Sequence, residues 1–294
     1  NELLNNSRYA DRLVIGDTAI IKNFRHQEIR DYYNKWYDPS LMAVAVVGDI
    51  DAETIKQQIH KKFGKLPSHM KGQTIPTYNI PPYTSMQAKK IVDESLDKIE
   101  LIGIQILPKL RSIKTEADYA QYLQRLMLNQ LLNSRMSALT FDNPPYKKGN
   151  IAISGFLNTV SILMTSVELT PTKINNGINA FANDIEQIYR YGFISLEIEK
   201  TKKNYLASLR RKAELDSPAQ STTLMNEIYS DFYNGHMIIT HKDEYRLAKK
   251  YITQIDSISL LRYMHQTFDW DKTHFILSAF DKVNDELPSD KQIK

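Results

Sequence analysis

The 294-residue sequence contains no cysteine, which excludes a disulfide framework, a thiol nucleophile and any thiolate-ligated zinc or iron–sulfur site. That absence leaves the compartment open, because a cysteine-free chain suits oxidising and reducing surroundings alike. Glycine is scarce at 10 residues, and there is no phosphate loop of the G-x-x-x-x-G-K-[ST] type, no dinucleotide fingerprint and no G-x-S-x-G elbow. No apolar run approaches the ~18 residues of a membrane span. Charge of one sign is also missing: 38 basic against 34 acidic residues leave a net charge of +4. The nearest basic cluster, Lys202-Lys203 with Arg210-Arg211-Lys212, is interleaved with Glu197, Glu199 and Glu214 on an expected helix. It reads as a solvated face rather than a nucleic-acid contact, which would want a stripe unrelieved by acids.

What is present is an ordinary globular composition, 42% hydrophobic and 24% charged, in a chain long enough for two domains. The most informative stretch is 25–51, RHQEIRDYYNKWYDPSLMAVAVVGDID. Ile29, Tyr32, Tyr33, Trp36 and Tyr37 recur at helical spacing and form one wide aromatic stripe that should bury against something. Asp38-Pro39 stops the helix, since the residue before proline avoids the α region. Residues 42–47 are an unbroken, valine-rich apolar run, which suits a strand covered on both faces. Gly48-Asp49 turns the chain, and Asp51 caps a further helix with Glu53 in its first turn and Ile55, Ile59 and Phe63 inward.

Proline at 67, 76, 81 and 82 among polar residues marks 68–87 as an extended linker with little to bury. From Ala88 a second unit follows, with strands expected at 89–92, 100–107, 151–156 and 162–169 and a long helix over 115–139. Thr170-Pro171 and Ser217-Pro218 are cap-then-proline helix starts, Ser195 opens another helix, and Gly192 and Gly235 are stops. Two short helices and a strand over 273–280 finish the chain. Leu260, Met264 and Phe268 before HFILSAFD echo Ile29, Tyr33 and Tyr37 before MAVAVVGD, so the chain holds two copies of one plan. The second runs from Ala88 to Asp281, whereas the first has only the residues up to Asp49. Taken at face value, the first copy lacks its front half; the alternative is a repeat that has diverged.

The lead-in 8–17 (RYADRLVIGD) and the unit after it resemble the pitrilysin or insulinase type of zinc peptidase, the M16 family. There a "Y-D-R-L-x-I-G-D" stretch precedes a helix ending in "W-Y-x-P" and a "V-V-G-D" strand. The matching positions are Tyr9, Asp11, Arg12, Ile15, Gly16, Asp17, Trp36, Tyr37, Pro39, Val46, Val47, Gly48 and Asp49. "N-P-P-Y" at 143–146, "Y-G-F" at 191–193 and "L-E-I-E-K-T-K" at 196–202 resemble the second domain of the N-terminal half of a bacterial single-chain member. The resemblance implies an α+β fold of two-layer domains, each a mixed or antiparallel sheet with helices packed on one face, the first copy truncated. It divides the chain into a remnant of the first domain (1–67), a proline-rich linker (68–87) and a noncatalytic second domain (88–294).

Zinc-dependent peptide hydrolysis needs three protein ligands, an open position for water and a general base. The family supplies these on an H-x-x-E-H helix plus a further glutamate. None of the seven histidines makes that pattern: His60 and His69 are nine apart, His236 and His241 five apart, and His26, His265 and His274 stand alone. The resemblance places the zinc site upstream of this chain, so no catalytic or metal-ligating residue is assigned here and zinc belongs to the parent protein. The family's arginine and tyrosine pair, seven residues apart, has no counterpart after Ser134-Arg135: Phe141 falls where the arginine would be and Tyr146 is out of register. Arg135 and Tyr146 are the residues left as candidates to face a substrate chamber. The expected partners are a peptide or unfolded polypeptide and the missing halves of the parent, with neither nucleic acid nor a membrane span. An unpaired strand at 42–47 would also invite homodimerisation through residues 1–67. The resemblance suggests a periplasmic or membrane-associated setting. The alternative is a nonenzymatic paralogue that keeps the fold as a peptide-binding or assembly subunit.

Overall fold

The computed structural model describes residues 4–12, 16–68, 76–138, 145–214 and 220–294. Three helices occupy the first region: α1 (Thr18–Asn23), α2 (His26–Trp36) and α3 (Ala52–Phe63). Their ends follow the local chemistry. Gly16 takes φ +86° and delivers Asp17 to the cap of α1, where its carboxylate accepts from the amides of Ala19 and Ile20 at 2.7 and 3.1 Å. Asp38 is buried and accepts from the Ser40 amide (2.9 Å) and from the hydroxyls of Ser40 (2.6 Å) and Ser68 (2.7 Å). Asp51 caps α3 through the Thr54 amide at 2.7 Å.

The second region carries the sheet. Its strands are β1 (Gln87–Val92), β2 (Ile99–Pro108), β3 (Tyr146–Phe156), β4 (Val160–Leu169) and β5 (His274–Ala279), in the order β1-β5-β2-β4-β3. β1 pairs parallel to β5, and every other pairing is antiparallel. The helices are α4 (Glu116–Ala138), α5 (Ile174–Tyr191), α6 (Ser195–Glu214), α7 (Ser221–Asn234), α8 (His241–Tyr251), α9 (Ser257–Thr267) and the short α10 (Asp290–Ile293). Alternate residues of the strands, such as Leu101, Ile151, Leu163, Val167 and Leu277, meet α4, α5 and α9 in one continuous core. α5 shows why it folds as it does: Ile174, Gly177, Phe181, Ile185 and Ile188 are buried at helical spacing, and Gly192 at φ +66° ends it. Gly235 at φ +66° stops α7 in the same way. The proposed cap at Ser217-Pro218 lies outside the described residues.

Two expectations need correction. Residues 42–47 follow α2 and a short turn but join no ladder among the described residues, and Met42, Val44 and Val46 are exposed rather than covered on both faces. The aromatic stripe of α2 is likewise uncovered, and none of α1, α2 and α3 has a buried residue. Among the described residues no strand lies beside either for it to pack against. The linker differs in the opposite sense. Ile80 and Tyr83 are buried against Ile106 and Val160 on the sheet face opposite the helices, with Leu4 and Tyr9 beside them. Asn5 donates to the carbonyl of Pro81 at 2.9 Å, and Arg8 lies over the Tyr78 ring at 4.5 Å. The proline-rich segment is therefore a strap that closes the second face of the sheet.

Both sheet edges are occupied. Along β3 the side chains of Asn129 and Asn133 stand in for a neighbouring strand. The Asn129 amide donates to the Ile153 carbonyl (3.0 Å) and accepts from its N–H (3.0 Å), and Asn133 treats Ile151 the same way (2.8 and 3.4 Å). At the other edge Asp290 of α10 accepts from the Lys90 amide of β1 at 2.7 Å.

Candidate functional site

Arg135 and Tyr146 are both held inside the second region. The Arg135 guanidinium meets the Glu197 carboxylate through two contacts, from Nε at 3.1 Å and from Nη2, and donates to the Gly192 carbonyl at 3.1 Å. It also lies over the Phe193 ring at 5.0 Å, so it pins the end of α4 to the turn between α5 and α6. Tyr146 is fully buried, edge-on to Phe181, and its hydroxyl donates to Asp184 at 2.7 Å. Burial pushes the Tyr146 phenol up, and the neighbouring Asp184 adds to the shift. Burial also raises the Asp184 carboxyl, against the pull of the tyrosine hydrogen bond. Arg135 tethers two helices, and Tyr146 is enclosed in the core rather than turned to a chamber. Phe141 lies outside the described residues.

His236 and His241, set five apart in sequence, do converge. The loop between α7 and α8 brings both onto one cleft of about 830 Å³ with Glu227, Asp231 and Glu244. His241 Nε2 sits 2.9 Å from Glu227 Oε2, and Lys212 donates to the other oxygen at 3.3 Å. Burial opposes ionisation of Glu227, but these hydrogen bonds outweigh it and hold the carboxyl below its ordinary range. Burial raises the carboxyls of Asp231 and Glu244. His236 accepts the Ile113 amide on Nδ1 at 2.8 Å, which leaves its proton on Nε2, and burial keeps the ring below its usual pKa. The loop geometry that joins these groups had no signal in the spacing of the two histidines.

This donor set does not fit zinc. His236 spends one nitrogen on the backbone, His241 is tied to Glu227, and no group of three or more histidine, aspartate or glutamate side chains placed to hold a metal occurs among the described residues. His265 bonds the Tyr189 carbonyl at 2.7 Å, and His274 is buried and stacked on Tyr83. His69 lies outside the described residues. The basic cluster of α6 is paired locally, Lys202 with Glu199 at 2.9 Å and Arg210 with Glu214 at 2.8 Å.

The other candidate surface is the open face of the first region. α2 and α9 each have eleven residues, an aromatic C-cap (Tyr37, Phe268), and then an aspartate that caps a three-residue turn (Asp38, Asp269). After that turn the first copy continues as the stretch 42–47, unpaired among the described residues, and the second as β5, hydrogen-bonded between β1 and β2. The equivalent apolar and aromatic side chains differ sharply in cover: Ile29, Tyr33 and Tyr37 are 56, 57 and 57% exposed, against 0, 1 and 3% for Leu260, Met264 and Phe268.

A mostly antiparallel sheet with its helices on one face, preceded by a helix and aspartate-capped turn that repeat the plan of α9, is the architecture of an M16-type domain. The family described as Peptidase M16 inactive domain matches residues 23–205, and the chain belongs to that family. It is 25% identical over 268 residues to the probable zinc protease PqqL of Haemophilus influenzae, covering 89% of this chain and 28% of that protein. It is 22% identical over 303 residues to the probable zinc protease PqqL of Escherichia coli, covering 99% and 31%. The crystal structure of the first half of the periplasmic protease PqqL from Escherichia coli shares the fold with a TM-score of 0.89 at 21% identity, covering 99% of this chain and 62% of that one. The chain thus spans about three-tenths of the length of the curated relatives it matches.

Proposed function

We propose that this chain forms a noncatalytic wall and scaffold of a zinc-dependent endopeptidase whose H-x-x-E-H site lies upstream in the parent protein. The observation that carries the reading is the open face of α2 and residues 42–47, whose counterparts α9 and β5 lie under and within a complete sheet. A segment with that local geometry and no cover calls for strands on both sides. Membership of a family described as inactive, with relatives described as zinc proteases, supports peptide hydrolysis by the whole protein. Peptide or unfolded polypeptide would then be the substrate. No described helix is long and apolar enough to cross a membrane, and a periplasmic setting is supported by the Escherichia coli relative described as a periplasmic protease. Left without its strands, the same face favours a homodimer through residues 1–67.

The test is reconstitution. The chain alone and the chain joined to the remaining portions of its parent are assayed with a quenched fluorescent peptide, with and without chelator. Cleavage confined to the joined protein and abolished by chelation is expected. Zinc-dependent turnover by residues 1–294 alone overturns the assignment of catalysis to other parts. A parent without H-x-x-E-H and without cleavage overturns the peptidase reading in favour of a nonenzymatic peptide-binding or assembly subunit.

A further inference from the structure

A second cleft, of about 440 Å³, lies beside the acidic one, and the two share Ile113 and His236. It is framed by the segment after β2, the tip of the β3–β4 hairpin and the end of α7. Its charged lining is Lys109, Arg111 and Arg125, with no carboxylate. None of the three is ion-paired among the described residues. Asp118, whose carboxyl feels the charge of Arg111, is already committed to the start of α4, where it accepts from the amides of Lys114 and Thr115 and from the Thr115 hydroxyl. His236 contributes a neutral ring, for the reason given above.

Arg125 is placed rather than free. It stands one and two helical turns before Asn129 and Asn133 on the same face of α4, donates to the Ile153 carbonyl at 3.3 Å and lies over the Tyr122 ring at 5.4 Å. It therefore ends the row of side chains that covers the edge of β3. Gly155 is next in phase with Ile151 and Ile153, so by strand alternation its N–H and C=O turn outward past the end of that row, into the cleft. A Cβ at Gly155 would meet nothing within 4 Å. The hairpin beyond it turns on Leu157 and Asn158 at φ +48° and +56°, closed by the Thr159 amide on the Phe156 carbonyl. Exposed Leu157 and Tyr233 give the cleft an apolar rim.

We propose that this cleft binds an acidic segment of a peptide: carboxylates on Lys109, Arg111 and Arg125, backbone on the open edge at Gly155, and an apolar side chain against Leu157 and Tyr233. The combination of unpaired cations with a free strand edge selects a polypeptide over a nucleic acid, which would use the cations but not the edge. The proposal rests on the reading that peptides pass along this chain, and names the class of sequence it retains.

The experiment is fluorescence anisotropy on the full chain, without any catalytic part, so that failed reconstitution and failed binding are separate outcomes. The probes are a fluorescein-labelled octapeptide of alternating Glu and Ala with one Phe, the same peptide with Gln for Glu, and a dT8 oligonucleotide, at 20 and 200 mM salt. The expected result is binding of the Glu peptide at least tenfold tighter than the Gln peptide, and at least a tenfold loss in the Lys109→Glu/Arg111→Glu variant. The control Lys61→Glu/Lys62→Glu, which makes the same charge change on α3, should stay within twofold of the parent. Equal losses in the two variants, no loss in the first, equal binding of the Glu and Gln peptides, or tighter binding of dT8 would each overturn the proposal.

Discussion

The chain builds one local structure twice and completes it once. α2 with its following turn and α9 with its following turn agree in length, C-cap and aspartate cap, so local sequence suffices to form both. What the second copy adds is non-local. Gln105 of β2 is buried and bonds on both sides of Phe268 at the entry to the aspartate turn, donating to the Thr267 carbonyl (2.7 Å) and accepting the Asp269 amide (2.9 Å). In the first copy Asp38 accepts from the amide and hydroxyl of Ser40 and from the Ser68 hydroxyl. Helices and caps are thus properties of a short segment, whereas burial is a property of the neighbours, and an apolar stripe states a need without supplying its cover.

The widest separation between the copies should appear in stability. Leu260→Ala removes a fully buried side chain and is expected to cost about 2–5 kcal/mol, whereas Ile29→Ala, at the equivalent exposed position, should stay within about 0.5 kcal/mol. Urea unfolding followed by circular dichroism measures both. Equal costs would mean that the open face is covered in solution, and a concentration-dependent midpoint would identify a second copy as the cover.

A smaller effect separates the edges. Asn133→Ala strips its cover from Ile151 and should cost about 1–2 kcal/mol, while making β3 available for pairing with another chain. Val44→Lys in the first region should act in the other direction, lowering self-association with little change in stability. Analytical ultracentrifugation of the two variants reads the contrast; if Asn133→Ala stays as monodisperse as the parent, the asparagine cover is dispensable.

The smallest effect is in pH dependence. Burial raises the Glu244 carboxyl, so the folded chain holds a proton there after the unfolded chain has released it. Stability contributed at this position therefore falls as pH rises from about 4.5 through the raised value, and stays lost above it. Glu244→Gln should match the parent near pH 4 and exceed it at pH 7 to 8, by thermal melts across that range. In the first region the shift at Asp51 has a different origin, hydrogen bonds from Thr54 that lower the carboxyl at an exposed cap. A Glu244→Gln variant no more stable than the parent at pH 8 would remove burial as the distinguishing property of the second region.

Much of this architecture was legible in residues. The stops at Gly192 and Gly235 and the cap at Asp51 follow from turn chemistry and periodicity, and the α+β plan from the family resemblance. The echo of Ile29, Tyr33 and Tyr37 in Leu260, Met264 and Phe268 anticipated two helices of the same length and ending. Residues 42–47 read as a covered strand because an apolar run reports a demand for burial and not the presence of a ladder that meets it. The strap at 76–83 was misread because proline density obscured Ile80 and Tyr83, two apolar residues in a segment without a period. His236 and Arg125 gave no signal either, since each takes its place from a loop or an edge contact formed across long sequence separation.

The asparagine pair on α4 also works as a ruler. Four residues of helix advance about 6 Å, and two residues of antiparallel strand advance about 7 Å. Asn129 and Asn133 can therefore match Ile153 and Ile151 only while both scales run unbroken. Removing a single residue from α4 between them would swing one amide by about 100° around the helix axis and disengage it. This stretch of α4 and the facing stretch of β3 must keep their spacing together, leaving length variation to the loops at either end.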